Sequence, residues 1–150
     1  MVGDGSYLMM NSEIYASVLS GKKFILVVCD NEGYAVIERL QVGQGGASYN
    51  NMLKDSTGTG SGVRVDFAAH ARSMGALTLE VGSLAEFAEA LQTARSSDRT
   101  AVIVTQVRAS DWTAGGAFWQ VGVPEVSDRP SVTEARARMD EGLKAQRRGI

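Results

Sequence analysis

The sequence predicts an α/β fold built on a doubly wound, mainly parallel sheet with covering helices. Three observations predict it. Lys23-Phe-Ile-Leu-Val-Val-Cys29 and Thr100-Ala-Val-Ile-Val-Thr105 are apolar runs of strand length, as expected for strands buried on both faces. Segments with apolar residues at helical spacing alternate with these runs, and that rhythm implies a parallel sheet. Short Gly- and Asp-containing turns follow the strands, which places loops and ligands at one edge of the sheet.

In chain order, Val2 ends a buried strand, Gly3-Asp4-Gly5 turns sharply, and Ser6 opens a helix whose free backbone N–H groups suit an anion. Leu8, Met9, Ile14, Val18 and Leu19 recur at helical spacing until Gly21, a helix stop. After strand 23–29, residues 34–40 form a short helix, and 41–62 turn rich in Gly, Ser, Asn and Thr as a loop. Residues 65–74 read as a helix with Phe67, Ala71 and Met74 inward, and 76–81 as a strand. Ser83-Leu-Ala-Glu86 is a capping box opening a helix with Leu84, Phe87 and Leu91 on one face. Residues 100–105 are the last strong strand. From Ser131 onward, Val132, Ala135, Met139 and Leu143 make the stripe of an amphipathic docking helix.

The 150 residues, 44% hydrophobic and 21% charged, suffice for the core of one domain. A net charge of -2 gives no reason to expect nucleic acid as a partner. No apolar run approaches a membrane span and no signal-peptide core opens the chain, so the expected compartment is the cytoplasm and no membrane partner is expected. Cys29, alone within an apolar strand, excludes a disulfide framework and is expected to be a buried reduced thiol.

The chemistry concentrates in two turns. Gly3-Asp4-Gly5 is followed, after twenty-five residues, by Asn31-Glu32-Gly33, which the strand before it delivers to the carboxyl end of the sheet. Mg²⁺ favours near-octahedral oxygen coordination by one or two protein side chains plus phosphate oxygens and water. Asp4 offers a charged oxygen, Asn31 an amide oxygen, and Gly33 a backbone carbonyl in a chain free to approach closely. Each tripeptide taken alone is an ordinary turn signal.

This pair of turns resembles the metal-diphosphate clamp of thiamine-diphosphate-dependent enzymes. Longer stretches are similar to the hydrolases of that family that open a cyclic dione in inositol catabolism: Met1-Val-Gly-Asp-Gly-Ser-Tyr-Leu-Met9, Val27-Val-Cys-Asp-Asn-Glu-Gly-Tyr34, Ile37-Glu-Arg-Leu-Gln41, Val65-Asp-Phe-Ala-Ala69 and Phe118-Trp-Gln-Val-Gly-Val-Pro-Glu-Val-Ser127. The resemblance implies thiamine diphosphate and Mg²⁺ as cofactors, with Asp4, Asn31 and Gly33 as metal ligands and Gly3, Gly5 and Ser6 at the diphosphate. It implies a small cyclic dione substrate, C–C bond hydrolysis to 5-deoxy-glucuronate, and a homo-oligomer in which a pyrimidine-binding domain faces this one. It also implies that the chain is the C-terminal part of a diphosphate-binding domain, truncated at its N-terminal side. The glutamate that protonates the aminopyrimidine and the apolar residue that bends the cofactor are then absent, and no catalytic residue is assigned. A carboligase of the acetolactate synthase kind shares the clamp and stays open as a reading, as does a non-catalytic interaction module that keeps the fold.

Other features carry less. Glycines 43–46 and 58–62 lack the Gly-Lys-Ser/Thr ending of a phosphate loop and read as surface loop, with an ordering role over bound cofactor as the functional alternative. His70, mid-helix and outside any motif, reads as a packing or helix-surface residue. Trp112, Phe118 and Trp119 read as packing anchors, with an aromatic wall against the substrate as the alternative. Arg147 and Arg148 read as a solvated face.

Overall fold

The structure, a computed structural model, describes residues 1–55, 63–111 and 122–146. Its elements are β1 (Val2–Gly3), α1 (Asp4–Met10), α2 (Ser12–Ser20), β2 (Ile25–Asp30), α3 (Ala35–Gly43), a 3-10 turn (Leu53–Asp55), α4 (Phe67–Ser73), β3 (Leu77–Val81), α5 (Leu84–Ser96), β4 (Ala101–Gln106) and α6 (Pro130–Ala145). The four strands form one sheet in the order β1-β2-β4-β3, and every pairing is parallel.

Because side chains alternate across a strand, neighbouring residues serve opposite faces of the sheet. Val28 and Val102 meet Tyr7, Ile14, Phe67, Ala71 and Ala76 from α1, α2, α4 and the approach to β3. Val27, Ala101 and Ile103 meet Val81 and the Ala90 and Ala94 stripe of α5 on the other side. Helices therefore cover both faces, as the apolar runs of β2 and β4 predict. A smaller cluster of Val123, Val132 and Ala135, with Met139 against it, docks α6. Ser131 Oγ donates to the Gly45 carbonyl at 2.7 Å and ties the start of α6 to the end of α3.

Several local expectations change. The first helix opens at Asp4, two residues before Ser6, because Gly3 in an extended conformation already stands at the N-cap. On α1 and α2 the buried residues are Asp4, Gly5, Tyr7, Ile14 and Ser17; of the expected stripe Ile14 is buried, whereas Leu8, Met9 and Leu19 face outward. The stretch expected as loop from 41 is helical through Gly43 and contains a 3-10 turn at Leu53–Asp55; residues 56–62 lie outside the described residues. The Ser83 hydroxyl caps α5 by accepting from Glu86 N at 3.2 Å, but the Glu86 carboxylate reaches back to Gly82 N at 2.7 Å, one residue before the cap. Leu84, the first residue of α5, is 87% exposed. Phe87 and Leu91 do pack inward.

Candidate functional site

The register of the two strands builds the site. Gly3 pairs with Cys29, so Asp4 stands beside the first residues beyond β2. Asp4 is only 5% exposed and sits at the first helical position of α1. Its Oδ2 accepts from Gly33 N at 2.8 Å and its Oδ1 from Asn31 N at 3.4 Å. A buried carboxylate needs such donors, and backbone N–H groups of a turn supply them without a counter-ion.

The loop after β2 is held from several sides. Asp30 Oδ1 accepts from Glu32 N at 3.1 Å in an Asx turn, and Glu32 itself adopts the left-handed region at φ 65°. Leu53 N donates to the Glu32 carbonyl at 2.9 Å, Tyr34 N donates to the Asn51 carbonyl at 2.7 Å, and Gly33 bridges Met52 in antiparallel fashion. Gly33 has φ 145°, and a Cβ there would stand 2.4 Å from the Asn51 carbonyl oxygen, so only glycine fits. Arg64 binds the Glu32 carboxylate at 2.5 Å. The Tyr34 ring lies against Gly5, where a Cβ would stand 2.6 Å from it.

The Asn31 carboxamide completes the arrangement. With its nitrogen turned toward the pair, it donates to Gly33 O at 2.7 Å and to Asp4 Oδ1 at 2.9 Å. With its oxygen there, the carboxamide would face two other acceptors, Gly33 O and Asp4 Oδ1, so the nitrogen-inward orientation satisfies the group unless a cation or donor lies between them. Among the described residues no three His, Cys, Asp or Glu side chains gather as a metal set. An ion held here would depend on one carboxylate, one amide and one carbonyl.

Two clefts flank the loop at the carboxyl end of the sheet. One of about 750 Å³ runs between Asn31, Glu32 and α3 on one side and Val107, Arg108, Ala109 and Ser110 on the other. The second, of about 540 Å³, is bounded by Arg64, Phe67, Gly82 and Val104. Asp30 and Gln106, paired in register at the strand ends, line both. Burial pushes the Asp30 carboxyl above its ordinary range and the Asp4 charge adds to the rise, while the hydrogen bond from Glu32 N opposes it. Burial also pushes the half-buried Cys29 thiol up; the N-terminal ammonium opposes the rise and the Asp4 charge adds to it.

Of the residues singled out in the sequence, the structure brings Asp4, Asn31 and Gly33 into direct contact, with Gly3 and Gly5 flanking Asp4. The Ser6 side chain is exposed one position further along α1. His70 is a packing residue: its Nδ1 lies 2.9 Å from Tyr7 Oη and the two rings meet edge to face. Gly45 abuts the backbone of Ser131 and Gly46 the Gln41 carbonyl, whereas Gly43 at the end of α3 has open space around it. Trp112, Phe118, Trp119 and glycines 58–62 lie outside the described residues, as do Arg147 and Arg148. Sequence reasoning missed Asp30, Asn51, Tyr34 and Arg64 at this site. The Asp30-Asn31-Glu32-Gly33 turn signal could have pointed to Asp30, whereas nothing local marks Asn51 or Arg64.

Residues 1–105 match the profile of the thiamine pyrophosphate enzyme C-terminal TPP binding domain. The chain belongs to this family. Across almost its whole length it is similar to the 3D-(3,5/4)-trihydroxycyclohexane-1,2-dione hydrolase of Halalkalibacterium halodurans, 34% identical over 145 residues that make up 95% of this chain and 22% of that protein. It is likewise similar to 3D-(3,5/4)-trihydroxycyclohexane-1,2-dione hydrolase 2 of Bacillus cereus, 36% identical over 141 residues, 90% of this chain and 22% of that one. The chain thus spans less than a quarter of the length of these relatives. Benzoylformate decarboxylase from Polynucleobacter necessarius shares the fold, with a TM-score of 0.62 and 28% identity over 73% of this chain and 19% of the decarboxylase. The thiamine-diphosphate-binding α/β fold expected from the sequence is the fold observed.

Proposed function

We propose that this chain is a single domain supplying the Mg²⁺- and diphosphate-binding half of a thiamine-diphosphate-dependent hydrolase, which acts on a C–C bond of a cyclic trihydroxy-dione in inositol catabolism and yields 5-deoxy-glucuronate in the cytoplasm. The observation that carries the reading is the convergence of Asp4 Oδ1, the Asn31 carboxamide and the Gly33 carbonyl at 2.7 and 2.9 Å. Neighbouring ligands of an octahedral Mg²⁺ at about 2.1 Å stand about 3 Å apart, close to the spacing of the Asn31 amide from each of the other two groups. Similarity to the dione hydrolases over 90–95% of the chain supports the choice of reaction over a carboligase.

In this reading Asp4 carries the charge that attracts the cation, and its own orientation is fixed by the Gly33 and Asn31 N–H groups. Asn31 turns its oxygen inward on binding, and Gly33 lends its carbonyl from a backbone held by Asn51 and Met52. Gly3, Gly5 and Ser6 face the diphosphate, whose charge the α1 N-terminus favours. When bound, thiamine diphosphate supplies the electron sink for cleavage of a bond next to a carbonyl. The chain's residues bind and orient, and none is assigned to the reacting bond. The remaining contacts to the cofactor come from a pyrimidine-binding domain in a homo-oligomer.

Calorimetric titration of Mg²⁺ and thiamine diphosphate into the chain, beside the Asp4→Ala variant, tests this. Binding that requires both Mg²⁺ and Asp4 is the expected result. A folded chain that binds the cofactor equally well without Mg²⁺ or without Asp4 would overturn the assignment.

A further inference from the structure

We propose that Arg64 is a positioning residue for the clamp: acting through the Glu32 carboxylate, it latches the metal loop to the segment that leads into α4. The inference rests on the clamp reading above and adds to it a residue thirty-two positions away in sequence.

Glu32 is an unexpected residue where it stands. Among the described residues it is one of two non-glycine residues with positive φ, the other being Asn50, a residue type that tolerates the left-handed region far better. Glycine would meet the backbone requirement without strain, so a glutamate there calls for a task for its side chain. The structure supplies one in the 2.5 Å contact with the Arg64 guanidinium.

The neighbourhood explains how that contact reaches the clamp. The backbone of Glu32 is fixed at its N–H by Asp30 and at its carbonyl by Leu53, and the next residue is Gly33, whose N–H grips Asp4 and whose carbonyl faces Asn31. A shift of Glu32 therefore moves the Gly33 N–H that grips Asp4 through their shared peptide plane, and the Gly33 carbonyl follows one Cα further on. Asp30, Asp66 and Glu80 line the same cleft as Arg64, and Asp4 lies just beyond Asp30. Without the guanidinium, the Glu32 charge acts on Asp30 with no opposing charge from Arg64, and the repulsion between these two carboxylates loosens the loop. Both members of the pair are about half exposed, which keeps the interaction modest and sensitive to salt.

The test compares Arg64→Ala, Arg64→Lys, Glu32→Ala and the double alanine variant of the full chain by two readouts: calorimetric affinity for thiamine diphosphate with Mg²⁺, and amide hydrogen exchange at Gly33 without either. At low salt Arg64→Ala is expected to weaken cofactor binding about three- to fivefold, the scale of an exposed ion pair, with an unchanged melting temperature. Arg64→Lys retains most of the affinity, the double variant is no weaker than the worse single one, and molar salt closes the gap to the wild type. Gly33 exchange quickens in Arg64→Ala. Wild-type affinity together with wild-type exchange in Arg64→Ala would overturn the latch, as would additive losses in the double variant. Should the unaltered chain take up no cofactor, the reading of the clamp fails, and Gly33 exchange alone decides the latch: faster in Arg64→Ala upholds it, unchanged overturns it.

Discussion

Gly33 shows at the scale of one residue why the clamp tolerates so little change. Its φ of 145° and the 2.4 Å approach of a would-be Cβ to the Asn51 carbonyl are independent penalties. Gly33→Ala is therefore expected to cost about 2–4 kcal/mol in urea unfolding, from backbone strain and overpacking together. Tyr7 gives a prediction with a pH signature. Burial raises its phenol pKa, so the native state keeps a proton that the unfolded chain releases above about 10. The unfolded state then binds fewer protons, and stability falls as pH rises through that window toward the native value. Tyr7→Phe loses the contact with His70 Nδ1, a cost of about 1 kcal/mol at pH 8. It also lacks the alkaline penalty, so unfolding measured at pH 8 and pH 11 should show the gap between variant and wild type narrowing. That Asp4, Asn31 and Gly33 come together was legible in the sequence because their turns follow two strand ends that the fold makes neighbours. Asn51 and Arg64 were not, because their contacts to the loop are made through backbone positions and a distant side chain that no spacing rule encodes.

At the scale of elements, α5 shows both the reach and the limit of periodicity. The cap was readable: Ser83 accepts from Glu86 N, and the helix runs to Ser96 with Ala90 and Ala94 against the sheet. Leu84 fits the same helical stripe yet is exposed, because periodicity gives direction around the axis and not where along it the sheet ends. Ser83→Ala is accordingly expected to cost about 1 kcal/mol, as cap removal does. Leu84→Lys should stay within about 0.5 kcal/mol, since a solvated site has little packing to lose. Both are read from urea midpoints at constant m-value. A Leu84 variant as damaging as the cap variant would mean that the side chain is covered in solution. The first helical pair repeats the lesson: the spacing of apolar residues was right, but Tyr7, Ile14 and Ser17 point inward and Leu8, Met9 and Leu19 outward.

At the scale of the whole molecule, those outward side chains are part of a larger set of exposed apolar residues on the first three helices. Leu8, Met9 and Met10 on α1, Tyr15 and Leu19 on α2, and Val36, Ile37 and Leu40 on α3 are all exposed, Met9 and Leu19 to 69%. β1 is two residues long and pairs only Val28 and Cys29, so residues 25–27 of β2 have no strand beside them on that side among the described residues. Exposed apolar side chains in this number and an incompletely paired edge both favour association. The proposed homo-oligomer would cover the α1–α2 face with a second copy, and sedimentation should show concentration-dependent dimers or larger species. Met9→Lys with Leu19→Lys should shift the distribution toward monomer. The melting temperature extrapolated to low concentration should hold, because neither side chain belongs to the buried clusters. A wild-type chain that stays monomeric at high concentration would sink the prediction, and a doubly substituted chain that still associates would move the interface from α1–α2 to α3.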